Sequence, residues 1–552
     1  MFAGRLAEVA ALSVLATIVT AVIAAPVLRA PSERVFGMEI VGRHHDPFTV
    51  MQQFERPIAI GVYSQPVTDI PGALLARLAG AVAAYNWLVL LSFPLSAAAA
   101  YLLARHLALS PAGSAVAAMA YAFSPFHLAH AAYHPHIAQT QWVPLYLLAL
   151  WRSLDKASPA AVGFLGVAAI AVTLSNFYAG MIVAVISPIA VAAYWLVKPD
   201  ATTDTGALRR LAITVGSLVL IAACGMAYAS YTAGDVVANR NAFAFPRADL
   251  FRYSAKWWSY LIPPVEHPLL GGSAQRVWSG VGVREGLLEQ QVSLGWGIIA
   301  LGLVASFAWL AEVRSAKRRE RPLPRLPSLP RVPVLVIVAA AALVCSLSPE
   351  RTIGAFTFVR PSALLYTVVP MFRSYARFGV VVQLMAALLA GIGMDSLRRT
   401  GNRYVRGMCF ALLALAAAEY AVAPSALWRD VLPTMAHRWI MRQPGRVRAL
   451  DCTPLNQESE SVQWLTGYRV TLLPGPGQRG PITGCTDPNL SRTLAANGYT
   501  HVLVRRHVHD GDGPSFADRS TPEGLRITAR FDDGLVLAVL EHTTATGPGE
   551  QP

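Results

Sequence analysis

At 552 residues, with 54% hydrophobic and only 14% charged residues and a mean hydropathy of +0.43, the chain is too apolar for a soluble globular protein. Its formal net charge of +14 is not a nucleic-acid footprint, because basic residues collect on the cytoplasmic side of multi-pass membrane proteins and set their orientation. No Walker-type loop, dinucleotide fingerprint or Gly-x-Ser-x-Gly elbow stands in a usable context, so ATP drive, nicotinamide chemistry and serine hydrolysis have no support.

In chain order, the first apolar run is about Leu6–Leu28. It follows Arg5 and is too long for a signal-peptide core, so it reads as an uncleaved anchor with its N-terminus inside. The loop over 29–80 is then outside. Further runs of membrane-crossing character follow at about Ala81–Leu107, Ala112–Ala132, Ile137–Trp151, Pro159–Ser175, Tyr178–Val197 and Leu208–Tyr231. Arg105-His106, the patch Arg152–Lys156 and Arg209-Arg210 mark inner ends.

A second outer loop covers 232–290. It carries Asp249-Leu250-Phe251-Arg252-Tyr253 and Lys256-Trp257-Trp258-Ser259-Tyr260-Leu261, aromatics among single charges that suit a helix lying flat in the interface. After a span at about Gln291–Leu310, the basic segment Arg314–Arg331 is the strongest cytoplasmic marker of the chain. Runs at about Val332–Leu347, Phe378–Leu397 and Val405–Ala423 bring the total to about eleven spans. Phe356–Val369 is apolar enough to re-enter the membrane.

The expected architecture is therefore a polytopic α-helical membrane protein over 1–424 and a small extracytoplasmic α+β domain over 425–552. In the latter, Thr500–Val504 and Leu535–Val539 are strand-like, and a helical stretch at Ser491–Asn497 stops at Gly498. Cys452 and Cys485 fall in this domain. An oxidising compartment would let them form a disulfide that stabilises by about 3–4 kcal/mol; the alternative is two unpaired thiols.

Three constellations could carry chemistry. Asp46 follows the first span directly, between His44-His45 and Pro47, placed to take a proton from a substrate at the membrane surface. Asp69 is a second carboxylate on the same loop. His127, His130, His134 and His136 cluster at the outer end of the third span, the first three at helical spacing. With His44 and His45 they are read either as polar lining of an aqueous cavity, as donors to phosphate oxygens, or as ligands of a divalent metal. Arg360, Arg373 and Arg377 lie next to spans on the outer side, and Arg373 and Arg377 share a helical face. A guanidinium fork matches phosphate oxygens, and Lys256 is a further cation for such a site.

The chain resembles the GT-C superfamily of membrane glycosyltransferases, nearest its bacterial YfhO-like branch. The segments that carry the resemblance are Asp46 after the first span, Tyr121-Ala122-Phe123-Ser124-Pro125-Phe126 with the following histidines, and Pro144-Leu145. Tyr260-Leu261-Ile262-Pro263-Pro264 with His267-Pro268, and Phe372-Arg373-Ser374-Tyr375-Ala376-Arg377-Phe378, complete the set, which covers the chain to about Leu397.

The resemblance implies a sugar donor on a polyprenyl phosphate and transfer to a glycan or other envelope acceptor outside the cytoplasmic (inner) membrane of a bacterium. It makes Asp46 the general base of an inverting displacement, with Arg373, Arg377 and Lys256 on the donor phosphate. Many relatives carry a paired acidic motif where this chain has His44-His45 before a single Asp, which leaves metal dependence open. The competing classes are a transporter or flippase of a lipid-linked glycan, and a non-catalytic envelope-assembly protein. Transporters usually carry internal repeats with broken helices near the midplane, and no repeat is evident here.

Overall fold

The computed structural model describes residues 2–37, 46–55, 65–197, 205–283, 286–317, 327–400, 403–432, 434–454, 460–474, 482, 485, 489–505, 523–532 and 534–540. The chain divides into two compact units, residues 1–42 with 50–429 and residues 43–49 with 430–552.

The first unit is mainly helical, and the apolar runs read from the sequence as spans fall largely on helix. Among the described residues eight helices are long and apolar enough to cross a membrane, and Pro159–Ser175 is a shorter apolar one. The protein is a multi-pass α-helical membrane protein. Three of its helices begin at a Ser-Pro pair: the hydroxyls of Ser110, Ser124 and Ser158 accept the backbone N–H of Gly113, His127 and Ala161, and each proline fills the first helical position.

The third expected span is therefore not continuous. It breaks into Pro111–Ala122 and Pro125–Ala131, because Pro125 has no N–H to continue the ladder and Ser124 starts a new helix. The fourth starts at Trp142 rather than 137. Between them the buried turn is held by Tyr121, whose hydroxyl donates to the Thr140 carbonyl at 2.9 Å, and by Gln139, whose amide donates to the Pro135 carbonyl at 3.0 Å. Inside a bilayer, irregular backbone persists only where such partners satisfy it.

The helix Gly379–Arg399 is the central post, buried along most of its length and packed against Pro111–Ala122, Trp296–Lys317 and Val332–Ser346. Glycines let two neighbours reach its backbone. A Cβ at Gly391 would lie 2.4 Å from the Gly113 carbonyl oxygen, and one at Gly393 only 1.9 Å from that of Leu301. Small residues at helix contacts are the usual device where lipid removes any hydrophobic drive between helices. At the other end of the post, Asp395 accepts the Ser110 N–H at 2.8 Å and its hydroxyl as well.

The aromatic segment over 249–261 does not form one flat interfacial helix. Arg247–Arg252 is a short helix and Trp257–Tyr260 a single 3-10 turn, separated where Ala255 bridges to Leu347. Trp258 stacks on Trp278 at 4.7 Å and the Tyr260 hydroxyl donates to Ser346 at 2.7 Å, so this loop is pinned into the helical unit. Short strands β1 (Arg34–Phe36), β2 (Glu350–Ile353), β3 (Phe356–Val359) and β4 (Trp428–Asp430) lie between membrane helices or after the last one. The stretch expected to re-enter the membrane is β3 followed by the helix Pro361–Val368.

The second unit contains a five-stranded sheet in the order β6 (Val470–Leu473), β5 (Ala449–Pro454), β7 (His501–Arg505), β9 (Gly534–Val539), β8 (Leu525–Phe531). Its first three strands are parallel and β7–β9–β8 antiparallel. Strand alternation gives it two apolar faces. Leu450, Val502, Val504, Leu535 and Leu537 pack with Leu490 and Leu494 of the helix Leu490–Ala496. Ala449, Val470, Leu472, Leu503 and Val536 pack with Ala436 and Ile440 of Met435–Arg442 and with Val462. The buried His437 ring bonds Asp451 of β5 at 2.9 Å through Nε2, and Thr434 through Nδ1. Cys452 and Cys485 form a disulfide, Cα–Cα 5.8 Å.

Candidate active site

The break at Pro125 sets the site. It ends one helix at Ala122, restarts the chain, and carries His130 and His134 into the interior near two 3-10 turns, Leu288–Gln290 and Tyr375–Phe378. From those turns come Glu289 and Arg377. Arg377 donates from Nη2 to Glu289 Oε1 at 2.6 Å and from Nε to Oε1 and Oε2 at 3.0 and 3.2 Å. Its guanidinium also lies 4.1 Å above the Tyr178 ring. Both partners are buried, Arg377 at 7% and Glu289 at 4% exposure. A charge pair removed from water in this way persists only with full hydrogen bonding, which this arrangement supplies.

His130 Nε2 lies 3.9 Å from Glu289 Oε2, and its Nδ1 faces Nδ1 of His134 at 3.1 Å, so one of the two rings donates to the other. Amide side chains hold the loop that presents Glu289. Gln290 donates to the carbonyls of Arg252 and Ser254, and Gln383 of the central post donates to those of Val292 and Ser293. A small cavity lined in part by Arg377 also has Phe126, Gln139, Thr140, Asn176 and Tyr178 in its walls, polar and apolar side chains together.

The remaining expected residues distribute as follows. His127 lies one turn before His130 on the helix Pro125–Ala131 but meets different partners. Its Nδ1–H donates to Ala122 O at 2.7 Å, its Nε2 meets Ser92 Oγ at 2.9 Å, and Phe93 stacks on the ring, so it seals the carbonyl freed at the helix break. His136 Nε2 bonds Asp69 Oδ1 at 2.7 Å, and Asp69 Oδ2 accepts the Gln65 N–H. Arg373 reaches Asp249 Oδ2 at 3.1 Å and sits over the rings of Phe245 and Tyr253, at 4.3 and 4.9 Å. Lys256 donates to the carbonyls of Phe251 and Ser254. Asp46 opens the helix Asp46–Glu55; its side chain, with His44 and His45, lies outside the described residues.

The sequence reading missed Glu289 and Asp249, the carboxylates that hold the two arginines. Its one signal for Glu289 was an acid in Leu288-Glu289-Gln290-Gln291 at the mouth of an apolar helix. Glu266, in the loop that ends at His267-Pro268, was also passed over. Burial raises its carboxyl to about 7. The neighbouring His267 is fixed in one tautomer, donating from Nε2 to Ala418 O and accepting the Leu269 and Leu270 N–H at Nδ1.

Ligand atoms of His130, His134 and Glu289 lie within 4.8 Å of one another, a donor set of the type that takes a divalent cation. Both Glu289 oxygens accept from Arg377, however, so a metal there would share the carboxylate with the guanidinium. The charge at this point is already balanced without one.

Among solved structures, the chain is similar to the archaeal oligosaccharyltransferase AglB from Archaeoglobus fulgidus in complex with an inhibitory peptide and a dolichol-phosphate. The identity is 12% over 90% of this chain and 69% of that one, with a TM-score of 0.46. It is similar to ArnT from Cupriavidus metallidurans bound to undecaprenyl phosphate, at 14% identity over 97% and 99% of the two chains and a TM-score of 0.47. A third similarity is to the arabinofuranosyltransferase AftD from Mycobacteria, at 13% identity over 97% of this chain and 40% of that one, TM-score 0.46. Among curated proteins no sequence matches. The family model that matches, over residues 43–421 and so over more than half of the sequence, is DUF6311, and the chain belongs to that family, described as a domain of unknown function.

Proposed function

We propose that this protein is a GT-C-type glycosyltransferase that moves a sugar from a polyprenyl-phosphate carrier to an envelope acceptor at the extracytoplasmic surface. The observation that supports the reading best is the meeting of His130 and His134 with Glu289 and Arg377 beside a partly polar cavity, inside a multi-pass membrane protein. A buried guanidinium held in register by a carboxylate suits a leaving phosphate.

In the proposed reaction Asp46 takes the proton of an acceptor hydroxyl as that oxygen bonds to the sugar C1. The C1–O bond to the carrier breaks on the opposite face, its electron pair leaves with the polyprenyl phosphate, and the anomeric centre inverts. Arg377 meets the developing phosphate charge, with Arg373 at the more exposed side and the imidazoles of His134 or His136 as further donors. Glu289 is a positioning residue, fixing Arg377 before the donor arrives. Preorganised donors of this kind lower barriers by about 3–4 kcal/mol each, and general-base assistance adds about 10²–10⁴ in rate. No step is routed through a metal.

The test is transfer from a radiolabelled polyprenyl-phosphate sugar to membrane acceptors by the purified protein, wild type against Asp46→Asn. Label should reach the acceptor only with the wild type, and both proteins should show the same thermal unfolding. Undiminished turnover by Asp46→Asn would remove the general base from the scheme, and no turnover by either protein with any such donor would remove the activity.

A further inference from the structure

The outer segment between the helices Val332–Ser346 and Gly379–Arg399 contains the β2–β3 ribbon, and its side chains are left largely uncovered. Its register pairs Glu350 with Val359, Arg351 with Phe358, Thr352 with Thr357 and Ile353 with Phe356. Side chains alternate across a strand, so Arg351, Ile353, Phe356 and Phe358 share one face and Glu350, Thr352, Thr357 and Val359 the other. The second face is mainly polar: the Thr352 and Thr357 hydroxyls bond each other at 3.0 Å, and Glu350 takes a hydrogen bond from Arg247 at 2.8 Å. The first face bears two bare rings and an isoleucine, exposed at 73% for Phe356, 54% for Phe358 and 59% for Ile353. A lone two-stranded ribbon is marginal in water, and an apolar face of this kind marks something that covers it.

Its position says what. Ser346 ends a helix long and apolar enough to cross the membrane, and Glu350 follows within about 13 Å of chain. The base is tied back to that helix end by Ala255 N–H to Ser346 O, Ser362 Oγ to Leu347 O and Arg360 N–H to Pro349 O. Exposed Leu364 and Val368 follow in the next helix, and Trp257 stands out of the adjoining loop. At the ribbon's base Lys256, Arg360 and Arg351 crowd together. Burial and then the charge of Arg360 lower the Lys256 pKa; burial and then the charge of Arg351 lower that of Arg360. Among the described residues none of the three meets a carboxylate at ion-pair distance.

We propose that the β2–β3 ribbon is a leaflet anchor: Ile353, Phe356 and Phe358 enter the acyl layer of the adjoining leaflet while Lys256, Arg351 and Arg360 take the phosphates of anionic lipids. This is independent of the glycosyltransferase reading and holds for any activity of the protein.

The full chain in a Cys224→Ser background, its remaining free cysteines buried, carries a nitroxide at Phe356→Cys or, on the other face, at Thr352→Cys. Each is reconstituted in vesicles of phosphatidylcholine, alone or mixed with phosphatidylglycerol. Collisions with oxygen should dominate at 356 and collisions with a water-soluble nickel chelate at 352. Arg351→Gln should lower the relative association of spin-labelled phosphatidylglycerol about fivefold. Chelate access at 356 equal to that at 352 overturns the anchor. So does protection at 356 from both reagents with dipolar broadening between labels, which means that a second copy covers the ribbon. A label at Phe358→Cys gives the same reading should the first substitution disturb the turn.

Discussion

Arg373 and Arg377 stand four residues apart, each with a carboxylate and an aromatic ring, yet they are different kinds of residue. Arg377 and Glu289 are both buried and share three hydrogen bonds. Arg373 keeps 36% of its side chain in solvent and makes one contact with Asp249, its guanidinium set over two rings. The first pair is part of the packed interior and cannot be halved without stranding a charge. The second is a half-exposed fork whose charge is screened and whose ring contacts are cation–π contacts of the guanidinium.

The comparison breaks first at Arg377. Arg377→Ala should cost about 3–5 kcal/mol in detergent unfolding, because Glu289 is left buried and alone. The matched change Arg377→Met with Glu289→Leu should recover most of that loss while transfer of a lipid-linked sugar stays absent, separating stability from chemistry. If the double variant is as unstable as the single one, the cost lies in shape and not in charge. Arg373→Ala should cost about 0–1 kcal/mol and show mainly a raised KM for the lipid donor. An equal loss at both positions would erase the distinction.

A pH-dependent effect belongs to Glu266. Burial raises its carboxyl from an unfolded value near 4.5 to about 7, so folding favours the protonated form. That stabilisation is complete below about 4.5 and is lost as pH rises through about 7. Thermal unfolding of Glu266→Gln, neutral throughout, should lack this decline between the two values. A decline unchanged in the variant would place its origin elsewhere.

The membrane helices were legible because a run of apolar residues has one outcome in a bilayer, but the Ser-Pro start at Ser124-Pro125 was read through. His130 with His134 was legible as a pair, since spacing is local information; Arg373 and Arg377 share no helical face, because Arg373 precedes the single 3-10 turn Tyr375–Phe378. What these residues meet was not legible. Glu289 joins Arg377 across 88 positions of sequence, and Asp249 joins Arg373 across 124. Neither acid carries a local mark that separates it from a solvated loop carboxylate. His127 has a further task that spacing does not announce: its imidazole satisfies Ala122 O at the break before Pro125.

The glycine seam of the central post has a consequence for motion. Gly391 touches the backbone of one neighbour and Gly393 that of another, so neither helix can slide past without parting main chain from main chain. A core bolted in two directions is ill suited to alternating access, in which bundles rock about a fixed substrate. It suits a stationary frame, as the proposed transfer from a tethered donor would need.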